Sequence, residues 1–231
     1  MEFELDILVI GAHPDDAEIG CGGTIVHYKK KGKKVGIMDL TNGEPTPFGT
    51  VEKRMAEAKA ASEILRLDVR ITLDMTNRYL ENTIENRKKV SELIRKYKPK
   101  VIITHPSDDW HPDHVACHQL VNAAKFQSKL TKTDSQYPEY SPKYVIYFDH
   151  SHLKDKNRKL DFLIDISDSI EEKIEALKAY KSQFIDNKKY LRIFDYIKER
   201  AGFLGYQIGV KYAEGFTNPE YLMFDLDNLK F

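Results

Sequence analysis

The chain has little cysteine, no excess of either charge and no long apolar run. Its two cysteines, Cys21 and Cys117, lie far apart and without CxxC spacing, so we expect small buried residues of a reducing compartment and no disulfide framework. Lysine plus arginine and aspartate plus glutamate each total 36, which leaves no overall field to attract nucleic acid or an anionic membrane. No apolar stretch approaches the length of a membrane span, and the acidic start MEFE is unlike a signal peptide. The sequence therefore predicts a cytoplasmic protein without a nucleic-acid or membrane partner.

The chain also lacks an internal repeat and a low-complexity segment. Apolar residues make up 41% of its 231 residues and charged residues 31%, an ordinary balance for a globular protein. This length fits one domain with a sizeable core. We expect a single domain over residues 1–231, in which residues 1–130 form a βαβ core that carries the functional site and residues 131–231 extend the same domain.

Short β-rich runs alternate with amphipathic helical segments over the first part of the chain. This alternation predicts an α/β, Rossmann-like fold, whose mainly parallel sheet has helices on both faces. Functional sites of such sheets lie at the C-terminal ends of the strands. The expected strands are Leu5–Ile10, Lys34–Leu40, Val69–Leu73 and Val101–Thr104. The expected helices are one that ends near Lys31, Val51–Leu65, Glu85–Tyr97 and Asp113–Phe126.

The pattern changes after about residue 130. Thr131–Lys143 is polar and predicts a long loop. Tyr144–Phe148 and Phe162–Ile166 are typical of strands, and Ser167–Phe184 is typical of an amphipathic helix. A second loop, Thr41–Thr50, directly follows a predicted strand and contains two prolines and two glycines. It forms either a wall or lid over the site or a plain connection.

Two His-Pro-Asp units follow predicted strands. The first unit is His13–Asp16 (HPDD), and the second unit is His111–His114 (HPDH). A residue before proline stays extended, and proline suits the first turn of a helix. We therefore expect His13 and His111 to project from strand ends and Asp16 and His114 to lie in the first helical turns. The two units should then meet in one crevice at the edge of the sheet.

The side chains of these units predict metal-assisted hydrolysis. Two histidines and one carboxylate, with an open fourth position, are a familiar ligand set for a catalytic Zn²⁺. We assign His13, Asp16 and His114 as metal ligands. Asp15 is adjacent to a ligand but should point elsewhere, which suits a general base for the attacking water.

The remaining residues of the second unit suit a supporting role. His111 is expected near the metal but not on it, where it can donate to a developing oxyanion when protonated. Asp113 can orient or charge that imidazole. Such an arrangement favours hydrolysis of an amide or an ester.

Several nearby residues have alternative interpretations. His118 lies at i+4 from His114 and could form a metal pair with it, while Cys117 is a weaker candidate ligand. The turn of the first unit contains HPDD and not GxGxxG, so the glycines at 20, 22 and 23 favour close helix packing over nucleotide binding. The other histidines are interpreted as satisfied surface or core residues: His27, His105, His150 and His152.

The segments GAHPDDAEIGCGGT and HPDH resemble the LmbE-like or PIG-L-like N-acetylglucosamine deacetylases, which are zinc-dependent. The similarity extends to DLTNGEPTPFGT, EKRMAEAKAAS, AYKSQF and IGVKYAEGF, which look most like the bacillithiol-pathway branch. Members of that branch remove acetate from N-acetylglucosaminyl-malate, and some act on N-acetylglucosamine or chitooligosaccharides. The resemblance implies Zn²⁺ as cofactor, a small N-acetylated amino sugar as substrate, and a homo-oligomer, either a trimer or a hexamer.

The resemblance also implies roles for individual residues. Arg54, in EKRMAEA, matches an arginine that contacts substrate hydroxyls, although an exposed salt bridge is the other interpretation. Trp110 stands where relatives often have a polar or basic residue. Its ring either stacks on a sugar face or packs under the loop. The motifs match zinc ligands at His13, Asp16 and His114, the general base at Asp15, and the residue that stabilises the tetrahedral intermediate at His111, with Asp113 as its partner.

Three functions remain open on the sequence alone. The first is a zinc-dependent N-deacetylase of an N-acetylglucosamine derivative, N-acetylglucosaminyl-malate before others. The second is a metal-dependent hydrolase of another acylated amine or ester. The third is a sugar- or nucleotide-binding module without catalysis, against which Asp15 and His111 argue, because binding alone needs neither a base nor an oxyanion donor.

Overall fold

The computed structural model describes residues 3–149, 159–190 and 192–221. The strands in these ranges are β1 (Ile7–Gly11), β2 (Val35–Thr41), β3 (Val69–Met75), β4 (Val101–Thr104), β5 (Tyr144–Phe148), β6 (Phe162–Asp165) and β7 (Ala213–Thr217). The helices are α1 (Asp16–Lys30), α2 (Val51–Leu65), α3 (Ile84–Tyr97), α4 (Pro112–Ser128), α5 (Ile170–Ala179), α6 (Lys181–Phe184) and α7 (Ile193–Gln207). His150 and His152 lie outside the described residues. None of the described helices is both long and apolar enough to cross a membrane.

These strands form one sheet in the order β3-β2-β1-β4-β5-β7-β6. The first five are parallel, whereas β7 runs antiparallel to β5 and β6. Ile10 of β1 lies in register with Met38 of β2 on one side and Thr104 of β4 on the other. The strand order reverses between β1 and β4, which is where α/β sheets open a crevice for ligands. The predicted mainly parallel α/β sheet is confirmed.

Helices cover both faces of the sheet because side chains alternate along each strand. Leu8 and Ile10 belong to a buried cluster that includes Leu120 of α4. Val9 belongs to a second buried cluster with Leu177 of α5. The sheet therefore lies between α3 and α4 on one face and α1, α2 and α5 on the other, as predicted.

The two prolines of the His-Pro-Asp units enter their helices differently. Helix α4 begins at Pro112, with His111 as an extended N-cap at φ −85° and ψ 122°. Helix α1 begins only at Asp16, with Asp15 as its N-cap at φ 119° and ψ −23°. Asp16 and His114 lie in the first turns of these helices, as expected. Pro112 also lies in a first turn, whereas Pro14 comes before α1. The physical reason is a local turn, in which the Asp16 carboxylate accepts the backbone N–H of His13 at 2.8 Å.

Helix α1 is kinked at Cys21, where φ is −149° and ψ is 27°. The kink frees backbone donors, and the Glu214 carboxylate of β7 accepts the N–H groups of Gly23 and Thr24 at 3.0 and 2.7 Å. A Cβ atom on Gly20 would lie 2.5 Å from the Phe148 ring. These contacts agree with the interpretation of this glycine-rich segment as close helix packing.

The C-terminal part departs from the sequence prediction. The predicted helix Ser167–Phe184 is interrupted at Tyr180, whose φ of −80° and ψ of 63° separate α5 from α6. Tyr180 is fully buried and its hydroxyl donates to Glu18 at 2.8 Å, so a tertiary contact overrides the helical pattern. Helix α7 and strand β7 were not predicted. Thr131–Lys143 is a loop, as expected.

Candidate metal centre and active site

The two His-Pro-Asp units meet beyond the carboxyl ends of β1 and β4. His13, Asp16 and His114 are all buried, and each offers a ligand atom within 4.8 Å of the others. Asp16 Oδ2 lies 3.3 Å from His13 Nδ1, and Asp16 Oδ1 lies 3.3 Å from His114 Nε2. The parallel register brings the units together, because it aligns the ends of neighbouring strands. The sequence-predicted ligands thus form one cluster.

The second nitrogen of each imidazole lies beside another carboxylate. His13 Nε2 is 3.1 Å from Asp113 Oδ2, and His114 Nδ1 is 2.9 Å from Asp109 Oδ2. Metal-binding histidines commonly have such a carboxylate on their other nitrogen, which fixes the ring and raises its basicity. The arrangement leaves His13 Nδ1, His114 Nε2 and Asp16 to face one another as a ligand set.

The charges at this cluster also fit a cation. Burial alone would lower the pKa of His13, but the carboxylates of Asp16 and Asp113 outweigh it and raise that pKa to about 9. Burial is likewise outweighed at His114, where Asp16 and Asp109 raise the pKa to about 10. Both rings therefore sit where carboxylates attract positive charge, and the donor set suits a divalent transition metal.

Asp15 lies next to this cluster but has different partners from Asp16. Its Oδ2 accepts a hydrogen bond from Arg54 Nη2 at 3.0 Å. Burial raises the pKa of Asp15 to about 7, although Arg54 opposes that rise. Its positive φ of 119° is uncommon for a residue with a side chain and is a form of local strain. The two adjacent carboxylates thus point to different neighbours.

Arg54 is buried, with an exposed fraction of 3%. Its Nη2 also donates to the carbonyl oxygen of Pro14, and its Nε and Nη1 are buried without a hydrogen-bond partner among the described residues. Gly43 of the Thr41–Thr50 loop has a φ of 75°, and a Cβ atom there would lie 3.2 Å from Arg54 Nε. The loop therefore forms a wall of the site, and Arg54 is not the exposed salt-bridging residue of the alternative interpretation.

His111 stands at the edge of the cluster and is half-buried. Its ring stacks on that of His114, with centroids 4.5 Å apart. Burial and the charges of His114 and His13 lower the pKa of His111. Its Nδ1 accepts the backbone N–H of Asp113 at 3.2 Å, which leaves Nε2 as the position for the proton of a neutral ring.

The Asp113 carboxylate contacts a different partner from the one expected. It pairs with His13 and accepts the backbone N–H groups of Arg78 and Leu80 at 2.7 and 3.2 Å. Its link to His111 runs through the backbone N–H and not through the carboxylate. The loop between β3 and α3 supplies two donors to this carboxylate, a contact that sequence spacing cannot reveal.

Trp110 lies at the outer side of the site. Its side chain is 55% exposed, and its ring meets that of His111 edge-on, with centroids 5.5 Å apart. The exposure argues against the alternative in which the ring packs under a loop. A role in substrate binding stays a prediction.

Two residues that contact the candidate ligands were not predicted from the sequence. His105, interpreted as an ordinary satisfied histidine, is fully buried; its Nε2 lies 3.1 Å from Asp16 Oδ2, and its ring stacks on His114 at 4.1 Å. Asp109 pairs with His114 and also accepts the backbone N–H of His111 at 2.8 Å. A signal existed for His105, since it directly follows β4 and precedes a proline, Pro106. His105, and not His111 as expected, thus stands at the end of β4. His118 instead contacts the carbonyl oxygen of His105 at 3.0 Å.

The sheet and the buried His/Asp cluster place a candidate metal site at the β1–β4 crevice. The profile of the PIG-L family, described as GlcNAc-PI de-N-acetylase, matches residues 8–125. The chain belongs to this family, whose members include deacetylases of N-acetylglucosamine derivatives.

Individual relatives agree with this assignment. The chain is 30% identical to the diacetylchitobiose deacetylase of Thermococcus kodakarensis, over 90% of this chain and 81% of the relative. It is 28% identical to a probable N-acetyl-alpha-D-glucosaminyl L-malate deacetylase 2 of Bacillus anthracis, over 80% of this chain and 84% of the relative. Among solved structures, the conserved protein TT1542 of Thermus thermophilus superposes with a TM-score of 0.87 at 34% identity, over 96% of this chain and 97% of that one.

Proposed function

We propose that this protein is a Zn²⁺-dependent hydrolase that removes the N-acetyl group from an N-acetylglucosamine derivative. The observation that carries the proposal is the buried cluster of His13, Asp16 and His114, with Asp15 and Arg54 beside it, in a chain of a deacetylase family. Two imidazoles and one carboxylate suit Zn²⁺ better than Mg²⁺. When bound, Zn²⁺ would lower the pKa of water and polarise the amide carbonyl.

Asp15 is the proposed general base. A carboxylate whose pKa is raised toward 7 by burial is well suited to move a proton near neutral pH. It takes a proton from the attacking water and returns it to the leaving nitrogen, so that one water and one amide give acetate and a free amine. Arg54 holds this carboxylate in place through Nη2.

His111 is the proposed oxyanion donor, and it need not be cationic. Because Nδ1 accepts the Asp113 N–H, a neutral ring carries its proton on Nε2 and can donate it. This sharpens the expectation that the ring donates only when protonated. A neutral donor also agrees with the lowered pKa of His111.

Arg54 is the proposed substrate contact. Its Nε and Nη1 are buried and have no partner among the described residues, and a buried donor without an acceptor is costly. Hydroxyl oxygens of an amino sugar would satisfy these donors. A sugar-binding module without catalysis would account for the buried donors of Arg54. It would not account for the strained backbone of Asp15.

Two substrates are proposed in order. N-acetylglucosaminyl-malate, the acetylated intermediate of bacillithiol biosynthesis, comes first and is supported by the similarity to the Bacillus relative. Diacetylchitobiose comes second and is supported by the Thermococcus relative and by the exposed Trp110 ring, since aromatic rings can stack on a sugar face. Both carry the same N-acetylglucosamine group.

Acetate release from a substrate panel tests the proposal. The panel contains N-acetylglucosaminyl-malate, diacetylchitobiose and free N-acetylglucosamine, each with and without a chelator and with Zn²⁺ added back. We expect release from at least one substrate, its loss on chelation and its recovery with Zn²⁺. The His114→Ala variant should bind less metal than the matched His118→Ala variant; release that is unaffected by the chelator would contradict the proposal.

The proposal extends to the setting of the enzyme. We infer from the family resemblance that the single-domain chain works in the cytoplasm as a trimer or hexamer. Light scattering on the purified protein measures the assembly, and a monomer at micromolar concentration would contradict that part of the proposal.

A further inference from the structure

The segment AYKSQF (179–184) contains the break at Tyr180 that separates α5 from α6, and the proposed chemistry does not use this break. Tyr180, at the interruption, is fully buried. Arg54 Cζ lies over the Tyr180 ring, 5.5 Å from its centroid. The break in the helix therefore places the face of the Tyr180 ring against the Arg54 guanidinium, which holds Asp15.

The Tyr180 hydroxyl is fixed by a buried polar network. It donates to Glu18 Oε1 at 2.8 Å. Arg70 Nη1 donates to the same oxygen at 2.6 Å, and Arg70 Nε and Nη2 donate to the two oxygens of Asp39 at 2.7 and 2.9 Å. These contacts join α1, β2 and β3, so the Tyr180 ring is held by three elements of the core.

Arg54, by contrast, has few hydrogen bonds of its own. Only Nη2 is paired, to Asp15 and the Pro14 carbonyl, while Nε and Nη1 have no hydrogen-bond partner among the described residues. Hydrogen bonds at a single nitrogen leave the plane of a guanidinium free to turn. What remains to set that plane is packing, and an aromatic face within 6 Å attracts a guanidinium and supports it.

We propose that Tyr180 is a positioning residue for the deacetylation. Its ring fixes the plane of the Arg54 guanidinium, so that Nη2 stays hydrogen-bonded to Asp15 while Nε and Nη1 face the substrate. This inference rests on the proposed function for its kinetic consequence, but not for the geometry of Arg54. Glu18, Arg70 and Asp39 are the anchor that keeps the ring in place.

Kinetics of a double-mutant cycle test the inference. Tyr180→Leu removes the ring and should lower kcat/KM for acetate release by about ten- to a hundredfold, whereas Tyr180→Phe keeps the ring and should lose about threefold or less. In an Arg54→Ala background, Tyr180→Leu should change kcat/KM by less than about threefold, because its target is absent. An undiminished effect of Tyr180→Leu in that background would overturn the inference.

Phe184→Leu is the matched control. Phe184 is a buried aromatic of the same segment, and it packs against Tyr190 and Phe194. It meets the Tyr180 ring edge-on, with centroids 6.4 Å apart, and leucine keeps an apolar side chain at that contact. This variant should lose stability comparable to that lost by Tyr180→Leu but keep kcat/KM within about twofold. An equal loss of kcat/KM in both variants would reduce Tyr180 to a structural role and contradict the proposal.

NMR of the Arg54 guanidinium decides the geometry independently of activity. The Nε–Hε signal is assigned from its disappearance in Arg54→Lys, and it should carry a ring-current shift in the wild type. Tyr180→Leu should abolish that shift and speed rotation about Nε–Cζ, while Phe184→Leu should change neither. An unchanged Arg54 signal in Tyr180→Leu overturns the inference even if the enzyme proves to be a deacetylase, and the expected change supports it even if no acetate is released.

Discussion

The two His-Pro-Asp units share three residue types but use their aspartates in different ways. In the first unit, Asp15 lies before the helix, adopts a positive φ and pairs with Arg54. In the second unit, Asp113 lies inside α4 and pairs with His13 of the first unit. The same tripeptide thus yields a carboxylate beside the candidate ligand cluster in one case and a carboxylate behind one of the candidate ligands, His13, in the other. The difference arises from where the helix begins, just after the aspartate in the first unit and at the proline in the second.

The largest expected effect is on the rate of acetate release, and it distinguishes Asp15 from Asp113. Asp15→Asn should lower kcat for acetate release by roughly 10²–10⁴-fold, because it removes the proposed general base, while bound Zn²⁺ measured by mass spectrometry stays near wild-type content. A turnover within a few-fold of wild type would remove Asp15 from this role. Loss of metal would place Asp15 among the ligands instead.

The next effect separates them by metal affinity. Asp113→Asn should weaken Zn²⁺ binding by about 10–100-fold, because the carboxylate behind His13 orients that ring and raises its basicity. Competition with a chromogenic chelator measures the affinity, and Asp109→Asn provides the equivalent change behind His114. If Asp113→Asn instead lowered kcat at saturating Zn²⁺ with metal affinity intact, Asp113 would act on His111, as the sequence first suggested.

A third effect concerns the free energy of unfolding, because Asp15 and Asp113 have different backbone conformations. At residue 15, glycine should be more stable than alanine by about 1–2 kcal/mol, since glycine adopts a positive φ without strain. At residue 113, which is helical, glycine should be less stable than alanine by about 0.5–1 kcal/mol. Urea unfolding of the four variants measures both differences, and an alanine variant at residue 15 that is as stable as the glycine variant would refute the strain at Asp15.

The smallest expected effect concerns the residues that precede the units. Ala12 is fully buried, whereas Trp110 is more than half exposed, so only the second unit presents an aromatic ring to solvent. Trp110→Ala should raise KM for diacetylchitobiose by about threefold if the ring stacks on the sugar, while Trp110→Phe should stay near wild type. An unchanged KM for Trp110→Ala would leave the ring without a part in substrate binding.

The strands and helices could be predicted in the segments where the local sequence pattern agrees with the observed sheet topology. The alternating strands and helices up to Ser128 follow period and capping signals, and Thr50 and Thr83 cap their helices as such residues do. The break at Tyr180 could not be predicted, because the helical pattern continues through it and the contact of Tyr180 with Glu18 comes from a distant part of the chain. The sequence around Tyr180 does not indicate that contact.

The residues of the candidate site likewise include some whose position could be predicted from the sequence and some whose position could not. His13, Asp16 and His114 could be predicted to converge because both units follow strands that are neighbours in a parallel sheet. The partners of Asp113 could not, because they are backbone N–H groups of Arg78 and Leu80 in a separate loop. His105 was visible as a histidine that precedes proline at a strand end, but only its burial against Asp16 distinguishes it from an ordinary core residue.

The central claim is that the two units hold one metal ion between them. Anomalous diffraction at the zinc edge, from crystals grown with one equivalent of Zn²⁺, tests it directly. We expect one peak per chain, within about 2.0–2.2 Å of a His13 nitrogen, a His114 nitrogen and an Asp16 oxygen. A peak bound by His118, or a site that includes Asp15 but not His114, would contradict it.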